Sequence, residues 1–229
     1  MVRVVSLVPS VSETLVAWGV TPIAVTRFCE QPGIPAVGGT KNPDVDAIVA
    51  LAPDLVVMND EENRREDADA LAAAGVALEV LTIESVADVA PALERLAARI
   101  GVARQRVRDT DSWGQGGSPP RCRAFIPIWR RPWMTMNART YGSSLLETIG
   151  VVNVFAGATE RYPTVTLEDA AAADPDVVLA PSEPYVFTEK HVPELSDVAP
   201  VVLVDGRDLF WWGWRTPAAV ARMRNRLGA

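Results

Sequence analysis

The chain is poor in the residues on which much protein chemistry rests. Its 229 positions include one histidine and two cysteines. His191 alone cannot supply the several His or Cys ligands that zinc or a comparable metal prefers, so no metal site built by the protein itself is expected. Ser/His/Asp chemistry would have to use that same histidine, and no G-x-S-x-G elbow is present. Neither a P-loop nor a G-x-G-x-x-G fingerprint occurs, and Val37-Gly38-Gly39-Thr40 is too short to serve as one. No catalytic residue is therefore assigned. Lys and Arg number 22 against 29 Asp and Glu, a formal charge of −7, which disfavours nucleic acid as a partner because phosphate neutralisation needs a basic face. No apolar run approaches the ~20 residues of a membrane span. Residues 1–13 (MVRVVSLVPSVSE) hold an arginine but no apolar h-region or small-residue cleavage site. The expected location is periplasmic or cell-surface if an export signal was removed, and otherwise cytoplasmic. Cys29 and Cys122 allow one bridge or two thiols, and thiols are expected.

What the chain does have is a module stated twice. A helical run from Asp46 to Leu51 stops at Ala52-Pro53, and Asp54 leads into the apolar run Leu55 to Met58, followed by the acidic loop Asn59 to Asn63. Leu167 to Tyr185 repeats the plan: helix, Asp174-Pro175-Asp176, apolar run Val177 to Ala180, acidic loop. Proline cannot continue a helix and biases the residue before it away from the α region. Four apolar residues in a row suit a strand covered on both faces, as in a parallel α/β sheet. The prolines lie 175 − 53 = 122 positions apart, too far for a solenoid repeat. Two similar Rossmann-like lobes with mostly parallel sheets are the expected fold, with a ligand cleft between them.

The rest of the chain fits that plan. Arg3 to Val8 reads as a buried strand, and Ser10-x-x-Glu13 is a capping-box signature opening a helix that Gly19 stops. Ile23 to Thr26 and Leu78 to Ile83 read as strands. Asn42 is read as an N-cap with Pro43 at the first helical position, and Glu66 to Ala74 as a helix closed by Gly75. Ser85 caps a helix whose apolar positions, Val86, Val89, Leu93, Leu96 and Ile100, form one face. Residues 1–101 are assigned to an N-terminal lobe, 102–120 to a linking helix and loop (Val102 to Trp113, then GQGGSPP), and 121–229 to a C-terminal lobe. There Cys122 to Ile128, Val152 to Phe155 and Val201 to Val204 are extended, Ser143 to Ile149 is helical, and Thr216-Pro217 opens a last helix.

Ligands in parallel α/β sheets sit beyond the carboxyl ends of the strands, so the loops there are the candidate site. They are Pro9 to Ser12, Arg27 to Glu30, Asn59 to Asn63, Trp129 to Tyr141, Ser182 to Phe187 and Gly206 to Arg215. Five of the seven tryptophans fall in them, Trp129, Trp133, Trp211, Trp212 and Trp214, all in the second half. Phe28, Tyr141, Tyr185, Phe187 and Phe210 join them. Neighbours in an extended loop face opposite ways, so Trp211, Trp212 and Trp214 are not expected to enter one core together. An aromatic-lined cleft suits a large, flat or greasy ligand. Arg27, Arg130, Arg131, Arg139 and Arg215 in the same loops suit an anionic or carboxylate-bearing one. The ligand-binding candidates are Pro9, Ser10, Arg27, Phe28, Trp129, Arg130, Trp133, Tyr185, Trp211, Trp212 and Arg215. Asp60-Glu61-Glu62 and Glu66-Asp67 read as a solvated face.

Several of these segments resemble a known family. Ser6-Leu7-Val8-Pro9-Ser10, Val37 to Pro43, Pro53-Asp54-Leu55-Val56, Glu61 to Glu66, Pro127-Ile128-Trp129-Arg130 and Pro132-Trp133-Met134 are similar, in order, to the helical-backbone (class III) substrate-binding proteins of ABC importers. That family includes the vitamin B12 and iron-siderophore receptors, and the similarity runs from near residue 3 to about residue 217. The resemblance implies two α/β lobes joined by a long helix, with cobalamin, haem or a ferric siderophore as transported cargo and no intrinsic cofactor. It implies a permease dimer as partner, docked through one acidic residue per lobe. Glu66 and Glu189 fit that role, with Glu61 and Glu194 as alternatives. Glu30-Gln31-Pro32 departs from relatives that carry His-Pro near this point. The competing expectation is a cytoplasmic enzyme or sensor handling tetrapyrroles or metal complexes on the same scaffold.

Overall fold

Pro53 and Pro175 each end a helix and hand the chain directly to the central strands of a sheet. The computed structural model describes residues 2–103 and 119–228, and these divide into two units. Residues 2–83 and 88–103 make up the first, and 84–87 with 119–228 the second. The expected linking helix and loop at 102–120 fall almost wholly outside the described residues.

The first unit runs β1 (Val4–Ser6), α1 (Pro9–Ala17), β2 (Ala24–Val25), α2 (Val45–Ala50), β3 (Leu55–Asn59), α3 (Arg65–Ala73), β4 (Leu78–Leu81) and most of α4 (Val86–Ile100). Its four strands are all parallel, in the order β2-β1-β3-β4. The second runs β5 (Cys122–Phe125), α5 (Tyr141–Thr148), β6 (Val151–Asn153), α6 (Leu167–Ala172), β7 (Val177–Pro181), a 3-10 turn (Glu189–His191), α7 (Val192–Leu195), β8 (Val201–Val204), α8 (Gly206–Phe210) and α9 (Thr216–Leu227). Its order, β6-β5-β7-β8, is the same walk, again all parallel. The α/β class and the duplicated parallel sheets are as expected.

The duplication extends to single hydrogen bonds. In the first unit the Arg3 N–H donates to Asp54 Oδ2 at 2.7 Å, and its guanidinium donates to the carbonyls of Leu51 (2.7 Å) and Ala52 (3.3 Å) at the end of α2. In the second, Arg123 does the same with Asp176 Oδ2 (2.7 Å), Ala173 (2.7 Å) and Asp174 (3.0 Å) at the end of α6. The residue before each proline is left-handed, Ala52 at φ 43° and Asp174 at φ 52°. That turn leaves helix-end carbonyls without intrahelical donors, and the guanidinium supplies them. Each central strand then starts beside its neighbour, and all five residues of β3 and of β7 are buried. One core gathers Val5, Leu7, Ile48, Val56, Met58 and Leu71, the other Phe125, Val178, Ala180, Phe187 and Leu195.

Helix starts differ from expectation at two places. The Ser10–Glu13 capping box does not form: α1 begins with Pro9 at its first turn, Val8 is the N-cap without a side-chain bond, and Ser10 lies inside the helix. Proline's fixed φ suits that position. Asp44, not Asn42, caps α2, accepting from the Ala47 N–H at 2.9 Å, so Pro43 lies outside it. Its counterpart in α6 is a complete capping box between Thr166 and Asp169. There the Thr166 backbone N–H lowers the Asp169 carboxyl pKa. In α4 the predicted stripe of Val86, Val89, Leu93, Leu96 and Ile100 is buried. Its first N–H, that of Val86, donates to Ser144 Oγ on α5 (3.1 Å). Glu79 on β4 takes a 2.7 Å bond from Arg99 farther along. Both cysteines are free thiols, and partial burial pushes the Cys122 thiol pKa up. No helix among the described residues is long and apolar enough to cross a membrane.

Removing the clamp in one unit tests its part in the fold. Arg123→Ala is expected to lower the unfolding free energy by about 1–2 kcal/mol, since the two guanidinium bonds to the end of α6, partly exposed, are lost while the backbone bond to Asp176 remains. Arg123→Lys recovers little, because an ammonium cannot span two carbonyls in a planar fork. Denaturant titration measures both, with faster amide exchange at the start of β7 as the local sign.

Candidate functional site

Three loops of the second unit leave the carboxyl ends of β5, β7 and β8, and their side chains meet. After β5 the chain doubles back: Trp129 and Met134 form an antiparallel bridge, with Arg130 to Trp133 as the turn between them. After β7, Tyr185 lies edge-on to Trp129 (5.6 Å between centroids) and against Phe187 (4.8 Å), while Phe187 stacks on Trp133 (6.0 Å, 8° between planes). Edge and offset contacts of this kind hold rings in fixed relative positions. Trp129 keeps 44% of its surface exposed and Val186, next to Tyr185 in the chain, 61%, whereas Phe187 is buried. The cluster therefore has a packed base and an open top.

Polar groups fix its orientation. Arg130 lies 5.8 Å from the Trp133 ring and forms an ion pair with Glu194 at 2.8 Å. The hydrogen bond to Glu194 holds the Arg130 guanidinium pKa above its ordinary value, and a hydrogen bond to Tyr185 adds to it. His191 Nδ1 accepts from the Thr188 N–H at 3.0 Å, so the neutral ring carries its proton on Nε2, 3.4 Å from Tyr185 Oη. The only histidine thus orients a tyrosine. Among the described residues no group of three or more His, Cys, Asp or Glu could hold a metal ion.

The loop after β8 differs from its expected form, because its first half is the helix α8. Asp205 caps it through the Arg207 N–H (3.0 Å). Burial pushes the Asp205 pKa up, but the bonds from Arg207 outweigh it and the net shift is down. Trp211 follows, its Nε1–H donating to Glu183 Oε2 at 2.9 Å, and Arg215 lies 5.4 Å from the indole. Buried Asp208 takes both bonds of the Arg222 fork (2.5 and 2.8 Å) and sits 3.6 Å from Arg215 Nη1. Gly206 is required here, since a Cβ would collide with the backbone N of Glu183. Trp212, by contrast, is 4% exposed and packs in the interior. Tyr141, also expected at the rim, is buried with its hydroxyl 3.0 Å from Thr216 Oγ1, and burial raises its pKa.

In the first unit four chain ends converge. Asn63 Nδ2 donates to Leu7 O (3.3 Å) and Thr40 O (2.9 Å), tying the ends of β1 and β3 to the loop of residues 38–41. Arg27 N–H donates to Gly38 O (2.9 Å), and the Arg27 guanidinium lies 5.0 Å from the Phe28 ring, which is 50% exposed. Gly38 has φ 86°, and a Cβ there would sit 2.6 Å from Asn42 O. Pro9 and Ser10 are buried at the start of α1. Glu66 and Glu189 are exposed. Glu194 is engaged by Arg130, and Asp67, read as solvated, is instead buried against Arg64 at 3.0 Å.

Of the eleven ligand-binding candidates, the second unit brings Trp129, Arg130, Trp133 and Tyr185 into one cluster and Trp211 and Arg215 into another, leaving Trp212 in the core. The first unit pairs Arg27 with Phe28. Glu183, Asp208, Glu194 and Asn63, which position these groups, were not on the list. Glu183 and Asn63 lie in the acidic loops ending the repeated modules, which was the available signal. Asp208 carries no such signal, because Gly206 and the tryptophans after it read as loop.

Two units, each a four-stranded parallel sheet walked in one order, with binding-type side chains in the strand-end loops, define the architecture of the periplasmic binding proteins. Comparison with known proteins agrees. The chain is 25% identical, over a 234-residue alignment, to the vitamin B12-binding protein of Vibrio parahaemolyticus, covering 96% of this chain and 78% of that one. It matches the periplasmic vitamin B12 binding protein BtuF of Vibrio cholerae with a TM-score of 0.80, at 20% identity, over 99% of this chain and 96% of the other. It matches the periplasmic heme-binding protein BhuT, in complex with two hemes, with the same TM-score at 22% identity, over 99% and 97%. No protein-family model matches the chain. The resemblance to helical-backbone substrate-binding proteins of ABC importers is borne out, and these relatives are named for binding, not for catalysis.

Glu183→Ala is expected to free the Trp211 indole and cost about 1–2 kcal/mol, the range for a lost charge-assisted hydrogen bond. Glu183→Gln keeps a carbonyl acceptor and most of that stability. A red-shifted tryptophan emission in the alanine variant, with the denaturation midpoint, reads out both.

Proposed function

We propose that the chain is the substrate-binding protein of an ABC importer, capturing a corrinoid, haem-like or ferric-siderophore ligand at its strand-end loops. The observation that carries this reading is the aromatic cluster of Trp129, Tyr185, Phe187 and Trp133, open at Trp129 and flanked by Arg130. A rigid apolar surface with few oriented polar groups suits a large planar ligand. The relatives' names, vitamin B12-binding and heme-binding, support the same ligand class. In this reading Trp211 and Arg215 extend the surface of the second unit, and Arg27 with Phe28 is the corresponding aromatic and cationic pair of the first. The ligand is cargo, and the working location is periplasmic or at the cell surface.

Titration with cobalamin, haem and ferric siderophores, followed by calorimetry and absorbance, tests it. At least one is expected to bind, and Trp129→Ala to weaken that binding roughly ten-fold, about 1.4 kcal/mol. No binding to any of the three classes would reject the proposal.

The importer half of the reading assigns Glu66 and Glu189 to docking on a permease dimer. Both are exposed, in the first turn of α3 and in the 3-10 turn before α7. Glu66→Ala and Glu189→Ala are each expected to leave ligand affinity unchanged and to weaken association with the reconstituted transporter about ten-fold or more, with a salt dependence to match. Equal loss of ligand affinity would instead make them site residues.

A further inference from the structure

Five hydroxyl side chains are buried where β1 passes into α1 and beside it: Ser6, Ser10, Ser12, Thr14 and Thr26, each at most 2% exposed. Four are hydrogen-bonded. Ser6 Oγ donates to Val8 O (3.1 Å), Ser12 Oγ contacts Ser6 Oγ, Val8 O and Cys29 Sγ, Thr14 Oγ1 donates to Ser10 O (2.8 Å), and Thr26 Oγ1 meets Cys29 Sγ (3.2 Å). Ser10 Oγ has no partner. Val8 O cannot readily serve it, since that carbonyl already takes the Ser12 N–H (2.9 Å) and both the Ser6 and Ser12 hydroxyls. Among the described residues no other buried hydroxyl is left this way, and such a group carries a desolvation cost.

Its surroundings favour negative charge. Helix α1 has nine residues, an N-cap, Val8, that makes no side-chain cap bond, and no acidic residue in its first turn. Pro9 has no N–H to offer and the Ser12 N–H is taken by Val8 O, so the amides of Ser10 and Val11 are those the helix leaves without a carbonyl. They add to the positive end of the helix dipole. The position is also the carboxyl end of a central parallel strand.

We infer that Ser10 Oγ and the Ser10 and Val11 amides form a subsite for a carboxylate carried by the ligand. This rests on the binding-protein reading above and narrows it: the cargo bears at least one carboxylate, and Ser10 selects for it. The hydroxyl donates to a carboxylate oxygen, and the two amides donate beside it.

The test uses haem and its dimethyl ester, with cobalamin and ferric citrate as further probes, on the wild-type chain, Ser10→Ala and Ser10→Thr. Expected are wild-type binding of haem or ferric citrate, a loss of roughly ten-fold or more in Ser10→Ala, and recovery of much of it in Ser10→Thr. If haem is bound, its ester is expected to bind wild type about as weakly as haem binds Ser10→Ala. The ligand-free Ser10→Ala protein is expected to melt no lower than wild type, since the hydroxyl it loses has no partner. Unchanged affinity in Ser10→Ala, equal losses for haem and ester, or a lower ligand-free melting temperature would each overturn the subsite. So would binding of cobalamin alone, which has no carboxylate, while the importer reading stood. Failure of every probe, ferric siderophores included, would remove both.

Discussion

The arrangement on which the rest depends is the way each unit turns a short helix into a buried strand. A proline one residue past a left-handed position ends the helix, and the guanidinium of Arg3 or Arg123 caps the carbonyls left over. The same arginine's backbone N–H takes the aspartate after the proline, and its carbonyl accepts that aspartate's N–H, at 2.9 Å from Asp54 and 2.8 Å from Asp176. One residue therefore aligns the first strand of each unit with the strand that will lie beside it. Such a device matters here, because every residue of β3 and β7 is buried and a contrast between a core face and a solvent face cannot set their register. With the strands parallel and aligned, all their carboxyl ends fall on one edge of each sheet. The loops that carry the binding-type side chains are brought together by that alone.

Much of this was legible in the sequence because its causes are local. Pro53 and Pro175 punctuate the chain, four-residue apolar runs follow them, and the repeat gives away the duplication without any knowledge of contacts. The stripe from Val86 to Ile100 is likewise a property of spacing. What failed to show was anything decided by competition or by distance in sequence. The Ser10–Glu13 signature matched a capping box, but Pro9 fits the first helical turn and moved the cap back to Val8. Asn42 lost to Asp44, whose carboxylate reaches the Ala47 amide. The helix α8 was missed because Gly206 and the tryptophans that follow read as loop, and its reasons are tertiary: Asp205 as cap, Asp208 held by Arg222 fourteen residues on, and close packing of Gly206 on Glu183.

The site was legible in kind but not in detail. Collecting the loops after the strands was enough to gather Trp129, Arg130, Trp133 and Tyr185, because topology alone requires those loops to meet. It could not tell an exposed tryptophan from a buried one two loops away. Trp211 and Trp212 are adjacent, yet one is partly buried on Glu183 and the other lies in the core. Alternation along an extended chain makes such a split natural, but which residue goes inward is fixed by α8. Nor could the sequence reveal that the lone histidine acts on Tyr185 through a tautomer set by the Thr188 amide.

The two units use one scaffold with different surface chemistry. At the strand ends of the second, the groups on offer are indole, phenol and guanidinium, locked by ring contacts and by Glu194, Glu183 and Asp208. At the corresponding ends of the first they are the amides and hydroxyl at the start of α1, the polar and acidic run Asn59 to Asn63, and Arg27 with Phe28. Apolar burial is non-directional and scales with area, so an aromatic wall holds a large ligand firmly but reads little of its chemistry. Amides at a helix end behave the opposite way, binding little area and discriminating by charge and geometry. The duplicated scaffold thus sets area-dependent chemistry at the strand ends of one unit and charge-dependent chemistry at those of the other.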